Sequence, residues 1–563
     1  MKFQTSFPGQ LEALHSQGSE QVAVYLQFAG TDDVAITYDQ LLRGAAAFAR
    51  RLEREGIQAG EVVVLILQHG QELVYSFWGA ILQGAIPSIM PFLTEKLSPE
   101  RYRADLSALI SVTRPAAIIT YPNFEVEVRS ALQEGDSVRS VIVTDAIDLQ
   151  PKADFASLSG PRRKPEDIVL LQHSSGTTGL QKGVALSHQA IFNQLNSYGK
   201  SLAINEKDVI VSWLPLYHDM GLIAGFLLPI LSGIPLVLMS PFDWVRAPYK
   251  LLQAISRYRG SLTWLPNFAY NFCAQKIRDR HLQGVDLTSL RAVINCSEPV
   301  RWESHAAFYE RFKDYGLKSE MLQTSYAMAE NVFSVTQSQL GNIPLVDEID
   351  REAFMVERLA KRPMEGRPSM KIMSSGQPLE NVKLKVVDED GNSLPECVIG
   401  ELALQSDCML TGYFNRPDLT EKVLRDGWYL TGDYGYLSKG EVFVSGRKKD
   451  MIIVGGKNIY PQDLESLTYE VPGVHAGRSV AFGMFNDIQG TEEVVIISEV
   501  DSEKAEEQQR VADAIRLHVT KNSAIALRYV KVVGPQWIVK TSSGKTARAA
   551  NKEKFLRELQ QGF

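Results

Sequence analysis

The segment Ser174-Ser175-Gly176-Thr177-Thr178-Gly179-Leu180-Gln181-Lys182-Gly183 gathers four hydroxyls, three glycines and a lysine within ten residues. Glycine lets a backbone come close to a ligand, and successive N–H groups with hydroxyls can ring phosphate oxygens. Lys182 adds a cation at the end of the loop. The chemistry these residues suit is phosphate binding. A P-loop nucleotidase is excluded, because GxxxxGK[ST] requires a different spacing of glycine and lysine. The segment follows a strand-like apolar run, Ile168–Gln172, and precedes a helical pattern, Gln189–Gly199, which disfavours a plain Ser/Gly linker.

Four more clusters follow along the chain. They are Tyr326-Ala-Met-Ala-Glu330, Tyr429-Leu-Thr431-Gly432-Asp433, Gly446-Arg447-Lys-Lys-Asp450 with Gly456-Lys-Asn458-Ile459-Tyr460-Pro461, and Thr541-Ser-Ser543-Gly544-Lys545. With the phosphate loop they resemble, in order, the motifs of the adenylate-forming superfamily of acyl-CoA synthetases, luciferases and peptide-synthetase adenylation domains. The resemblance runs from Ser174 to Lys545, most of the chain.

It implies an ATP site built from Ser174, Ser175, Gly176, Thr177, Thr178, Gly179 and Lys182, with Asn295, Ser297, Glu298 and Pro299, and with Tyr326, Asp433 and Arg447. Each residue type suits its implied task. Tyr326 offers a flat face to an adenine ring. Glu330 offers a hard oxygen to Mg²⁺, so ATP and Mg²⁺ are the expected cofactors. Asp433 can accept hydrogen bonds from ribose hydroxyls, and Arg447 can donate to the same sugar. Lys545, Thr177, Glu330 and His218 are the expected catalytic residues. The implied first step is attack of a carboxylate on the α-phosphorus of ATP, giving an acyl-adenylate and pyrophosphate. A carboxylate is already ionised at pH 7, so the task is positioning and charge neutralisation. Lys449 falls at the family's hinge position, where many relatives carry Asp. Gln181, Ala327 and Cys296 depart from the commonest family residues, and none removes a charged or phosphate-contacting group.

Two features resemble fatty acyl-AMP ligases in particular. Pro215-Leu-Tyr-His218-Asp219-Met220-Gly221-Leu222, after Trp213, is similar to that group's acyl-site motif, so Trp213, His218, Asp219, Met220 and Gly221 are expected to bind the acyl group. A bare His–Asp pair that orients a turn is the competing reading. The second feature is the 46-residue offset from Glu330 to Gly376, longer than in typical acyl-CoA ligases, with extra material at about Leu340–Lys371. It resembles the insertion that in acyl-AMP ligases restrains the C-terminal domain and disfavours CoA. A solvated surface loop is the alternative. The resemblance thus implies a medium- or long-chain fatty acid activated by ATP and passed to a separate holo acyl carrier protein. A fatty acyl-CoA ligase, or a silent acyl-adenylate-binding module, stays open.

These residues need a scaffold. Strand-like runs alternate with helical patterns from Val62–Leu67 and Glu72–Leu82 through Leu262–Trp264, Asn267–Ile277 and Ala292–Asn295 to Glu303–Phe312. Such alternation indicates parallel, doubly wound α/β layers. The fold class is α/β: a large N-terminal domain, 1–447, of two doubly wound α/β subdomains plus a β-rich subdomain at about 372–447, and a smaller mobile α+β C-terminal domain, 448–563.

Composition agrees. The 563 residues are 45% apolar and 22% charged, which excludes disordered, collagen-like and disulfide-scaffold classes. The net charge of −7 disfavours a nucleic-acid coat. Four cysteines without a CxxC pair indicate neither zinc nor a disulfide framework. With no apolar leader at the N-terminus, a reducing, cytoplasmic location is expected. Met220–Phe242 lacks charge and is long enough to span a bilayer, but Pro229, Pro235 and Pro241 punctuate it. A buried helix at Leu222–Leu231 followed by a strand, and no membrane span, is the expected outcome.

Overall fold

The computed structural model describes residues 3–92, 99–144, 157–174, 182–454, 457–486, 491–523, 525–541 and 544–560. Ser175, Gly176, Thr177, Thr178 and Gly179 of the expected phosphate loop lie outside these residues, and Ser174 is described in its backbone alone. The architecture is α/β, with a large N-terminal domain and a smaller C-terminal one.

The larger sheet of the N-terminal domain has nine strands. Its centre is parallel: Leu322–Ala327, Ala292–Asn295, Leu262–Leu265, Ile210–Ser212, Leu236–Met239 and Val22–Gln27 lie side by side. Every residue of Leu262–Leu265, Ala292–Asn295 and Leu236–Met239 is buried, as parallel strands covered on both faces require. A second, four-stranded parallel sheet runs in the order Ile86–Ile89, Val62–Ile66, Ala117–Thr120, Ser140–Val143. The expected alternation began at Val62, so it missed Val22–Gln27, which pairs with Leu236–Met239 across more than two hundred residues. No local pattern reports such a pairing.

Two expectations are corrected here. The residues after the phosphate loop do not enter a helix directly. Lys182–Ser187 is a strand that pairs antiparallel with Ile168–Ser174, and the helix His188–Ser201 starts only after it, capped by the Ser187 hydroxyl. The helix N-terminus therefore lies one strand further along the chain than Lys182. The apolar stretch after Asp219 begins π-helical, Met220–Leu227, and continues as an α-helix, Leu228–Ser232. Close packing requires glycine at two positions of this stretch. A Cβ on Gly221 would lie 2.2 Å from the Pro215 carbonyl oxygen, and one on Gly225 would lie 2.6 Å from Ser212 Oγ. Gly233, at φ 75°, ends the segment in the left-handed cap that glycine favours. Among the described residues no helix is long and apolar enough to cross a membrane.

The β-rich part pairs Val382–Val387, Gly400–Ser406, Trp428–Ser438 and Glu441–Arg447 antiparallel in that order. Trp428–Ser438 carries Asp433 and sets it opposite Arg447 in register. The C-terminal part packs the sheet Ser479–Asn486, Thr491–Glu499, Leu527–Val533 against helices Pro461–Tyr469 and Ala505–Ser523 over its own apolar core. The expected insertion forms a hairpin, Val346–Asp350 with Ser369–Met373, and a π-helical turn, Ala353–Glu357, between its strands. That turn meets the C-terminal part: the Phe354 ring lies 5.6 Å from Tyr460, Met355 packs on the C-terminal core, and the Arg351 guanidinium donates to the Asn522 carbonyl.

Buried neutral histidines tie these layers together. His188 Nδ1 accepts from the Phe7 amide at 3.2 Å, fastening the first helix, and His173 Nε2 meets Ser88 Oγ at 2.6 Å. Burial pushes both imidazoles down to about 4. An unfolded chain takes these protons at the ordinary value near 6.5, whereas the folded one resists until about 4. Stability is therefore complete above pH 6.5 and is lost as pH falls toward 4. The urea midpoint should drop between pH 7 and pH 5; an unchanged midpoint contradicts this.

Candidate active site

The turn before Lys545 is fixed by its own backbone. The Thr541 amide donates to the Lys545 carbonyl at 2.7 Å, and the Gly544 amide donates to the Thr541 carbonyl at 2.9 Å. Gly544 holds φ at +85°, and a Cβ there would meet the Phe268 ring at 3.6 Å. This C-terminal turn therefore sits against the start of the N-terminal helix Asn267–Lys276. Its lysine reaches inward: Lys545 Nζ is 3.4 Å from His218 Nε2.

His218 Nδ1 lies 2.7 Å from Asp219 Oδ1. A carboxylate only accepts, so Nδ1 carries the proton and Nε2 turns its lone pair toward the ammonium. Asp219 also accepts from the Met220 amide at 2.7 Å. Burial raises the Asp219 carboxyl, but His218, Lys545 and the amide outweigh it and hold it below the usual range. Burial pushes the Lys545 ammonium down, against the opposing pull of Glu298 and Asp219, and Arg447 adds repulsion. Lys545 is thus a desolvated cation among two carboxylates and a guanidinium.

The turn after Ala292–Asn295 lies beside it. The Phe268 amide donates to Glu298 Oε2 at 3.0 Å, and Ser297 adopts a left-handed φ of 74°. Asn295 donates its amide to Asn267 Oδ1 at 3.0 Å, while its own Oδ1 is buried with no partner among the described residues. The Cys296 thiol is buried and pushed up to about 12, so it is inert. Behind His218, Trp213 stacks on Trp244 with centroids 3.6 Å apart, and Phe268 closes the box edge-on. Met220 is buried there, with its Sδ 3.7 Å from Ser297 Oγ.

On the opposite side the Tyr326 hydroxyl donates to Asp433 Oδ2 at 2.6 Å, and Arg447 Nε is 3.6 Å from Asp433 Oδ1. Burial raises the Asp433 carboxyl despite Arg447 and Tyr326. The Tyr413 hydroxyl donates to Glu330 Oε1 at 2.8 Å, and Lys182 Nζ sits 4.7 Å over the Tyr413 ring. Lys449 falls in the short turn Lys448–Asp450 directly after Arg447. Burial lowers its ammonium first, and repulsion from Arg447 and Lys182 adds to the effect.

The donor set fits a magnesium nucleotide. Among the described residues no trio of His, Cys, Asp or Glu could hold a metal. Mg²⁺ needs only one or two carboxylates when phosphates complete its shell, and Glu330 keeps Oε2 beside the one oxygen tied to Tyr413. Mutually repelling Lys182, Arg447 and Lys449 are the complement of a polyphosphate. Sequence reasoning missed Trp244, Phe268 and Tyr413. Each works through a neighbour in space, and no motif marks it.

The AMP-binding enzyme family matches residues 12–414. The chain belongs to that family. Relatives of this AMP-binding enzyme include the medium-chain-fatty-acid–[acyl-carrier-protein] ligase JamA of Moorena producens, 29% identical over 96% of this chain and 93% of that one. The long-chain-fatty-acid–AMP ligase FadD26 of Mycobacterium bovis is 29% identical over 92% and 91%. A solved chain among the fatty acyl-adenylate ligases from E. coli and L. pneumophila superposes with a TM-score of 0.89 at 25% identity, covering all of both chains. The L. pneumophila fatty acyl-adenylate ligase solved with acyl adenylate and pyrophosphate gives a TM-score of 0.75 at 27% identity, over 100% and 97%. The resemblance to fatty acyl-AMP ligases read from the motifs is borne out by these relatives and folds.

Asp433→Asn removes a charged acceptor at the end of the Tyr326–Asp433–Arg447 line. AMP binding measured by calorimetry should weaken about tenfold, the scale of one hydrogen bond to a charged group. Unchanged affinity contradicts a nucleotide role for Asp433.

Proposed function

We propose that this AMP-binding enzyme activates a medium- or long-chain fatty acid with ATP to an acyl-adenylate and pyrophosphate, and passes the acyl group to a separate holo acyl carrier protein. The observation that carries the first half is the approach of Lys545 Nζ to His218 Nε2 at 3.4 Å, made across two domains. A fatty carboxylate placed there faces an ammonium and an imidazole. Its charge and that of the α-phosphate repel, and Lys545 lies where both can be neutralised. His218, oriented by Asp219, keeps Nε2 as an acceptor and so holds the ammonium in place.

The remaining roles follow the family's motifs. Ser174 to Lys182 hold the phosphates, with Thr177 at the reacting phosphate. Tyr326, Asn295, Ser297, Glu298 and Pro299 frame the base, and Asp433 and Arg447 hold the sugar. Glu330 would hold Mg²⁺, which would supply charge neutralisation for the leaving pyrophosphate. The box of Trp213 and Trp244, with Met220 and the close-packed Gly221, walls the acyl entrance. Lys449 acts as the hinge about which the C-terminal domain turns between half-reactions. A cytoplasmic location accords with the carrier as partner.

The carrier preference is supported by the insertion. Arg351, Phe354 and Met355 tie it to the C-terminal part through a hydrogen bond, a ring contact and core packing. Those contacts oppose the turn that admits a small thiol such as CoA. JamA, whose name records an acyl-carrier-protein ligase, supports the same reading.

Lys545→Ala should slow acyl-adenylate formation at least ~100-fold, the scale of losing one transition-state charge contact. Near-normal single-turnover rates contradict the role. With labelled dodecanoate, ATP and Mg²⁺, acyl-AMP should persist with CoA and be consumed by a phosphopantetheinylated carrier protein. Rapid acyl-CoA formation contradicts the carrier reading and makes the enzyme an acyl-CoA ligase.

A further inference from the structure

The chain carries a net charge of −7, yet between Trp244 and Val285 seven Lys/Arg face one acid, Asp279. That acid is already paired with Arg311 at 2.6 Å, and Arg257 is paired with Asp33 at 3.0 Å. Arg246, Lys250, Lys276, Arg278 and Arg280 make no ion pair with another described residue. Arg246, Lys276, Arg278 and Arg280 are exposed.

These cations share one surface. Tyr249 stacks on His281 at 4.2 Å and Gln253 donates to the His281 carbonyl at 3.0 Å, which joins the helix Tyr249–Tyr258 to the Asp279–His281 turn. Arg246 ends the helix Pro241–Arg246, whose inner face supplies Trp244 to the acyl-site box and whose outer face leaves Phe242 and Val245 38% and 51% exposed. An uncompensated cationic cluster rimmed by apolar side chains is a protein-recognition surface for an anionic partner.

Its place relative to the chemistry selects the partner. The helix Asn267–Lys276 begins at Phe268, against the Lys545 turn, and ends at Lys276 in the cationic cluster. Ten helical residues span about 15 Å, so the cluster is one helix length from the reacting atoms. Lys276 also borders the C-terminal domain: Asp501, held low first by its hydrogen bond with His475, feels Lys276 as well. A partner here sits at the seam between the domains. A membrane would have to reach into that seam, whereas a small acidic protein can settle on it and extend a flexible arm.

We propose that Lys276, Arg278 and Arg280, with Arg246 and Lys250, form the docking surface for an acidic carrier protein that delivers its thiol arm along the helix Asn267–Lys276. This rests on the carrier reading above and adds where and by what charge the carrier is recognised. The cluster acts on encounter and orientation, so its loss falls on the carrier's KM and on the salt dependence of transfer, and spares the adenylation step.

The test is the full-length double variant R278E/R280E, with R278Q/R280Q as the milder form, and a holo acyl carrier protein of dissociated fatty-acid synthesis as the probe. Acyl-adenylate formation without carrier should match the unmodified enzyme and report an intact fold. Acyl transfer to the carrier should lose at least tenfold in kcat/KM through KM for the charge reversal, less for the neutral pair, with a flatter salt dependence. Unchanged carrier kcat/KM in R278E/R280E, while the unmodified enzyme transfers well, overturns the docking surface and leaves the carrier reading standing. No transfer to the carrier by the unmodified enzyme overturns both. Loss of binding to phosphatidylglycerol/phosphatidylcholine vesicles with carrier transfer unchanged assigns the surface to a membrane and overturns the proposal.

Discussion

An ammonium taken out of water is the constraint around which this molecule is arranged. Lys545 is partly buried, where desolvation lowers its ammonium, while Glu298 and Asp219 pull the other way and His218 Nε2 lies within hydrogen-bond reach of it. Those groups belong to the N-terminal domain, and the lysine belongs to the C-terminal one. The contact therefore exists in a single relative placement of the domains. The placement also brings Gly544 onto Phe268 and Arg301 onto the Gln462 carbonyl at 3.0 Å. The burial that lowers the ammonium makes its field strong at the proposed meeting point of carboxylate and phosphate.

The N-terminal domain serves that meeting by bringing distant segments to one end of its sheets. His218 follows the strand Ile210–Ser212, Ser297 follows Ala292–Asn295, and Tyr326 ends Leu322–Ala327. These are neighbours at the carboxyl ends of parallel strands, where open α/β sheets place their ligands. Asp433 and Arg447 come instead from paired antiparallel strands, so their spacing follows from register and needs no loop to hold it. Tyr413 joins the two systems, since its strand pairs with Lys182–Ser187 while its hydroxyl holds Glu330.

Much of this was legible because the charged and glycine-rich residues recur in an ordered set, and an ordered set is hard to meet by accident. The alternation of Ala292–Asn295 with its helix, and the β texture after residue 372, were read from period and turn residues alone. Other features had no local signal. Val22–Gln27 belongs to the large sheet only through its pairing with Leu236–Met239. The strand Lys182–Ser187 was hidden because its neighbours, a glycine-rich loop and a good helix, account for the sequence without it. The segment at Met220 starts as a π-helix, and Gly221 packs on the Pro215 carbonyl, a contact no periodicity shows. Trp244 belongs to no motif, and only the stacking of its ring on Trp213 marks it.

The central claim is that Lys545 acts through its contact with the His218–Asp219 pair. A double-mutant cycle with His218→Ala, Lys545→Ala and both together, read by single-turnover acyl-adenylate formation, tests it most directly. If the two side chains act as a unit, the double variant is scarcely slower than Lys545→Ala, with a coupling above about 1 kcal/mol. Independent, multiplicative losses would contradict the account.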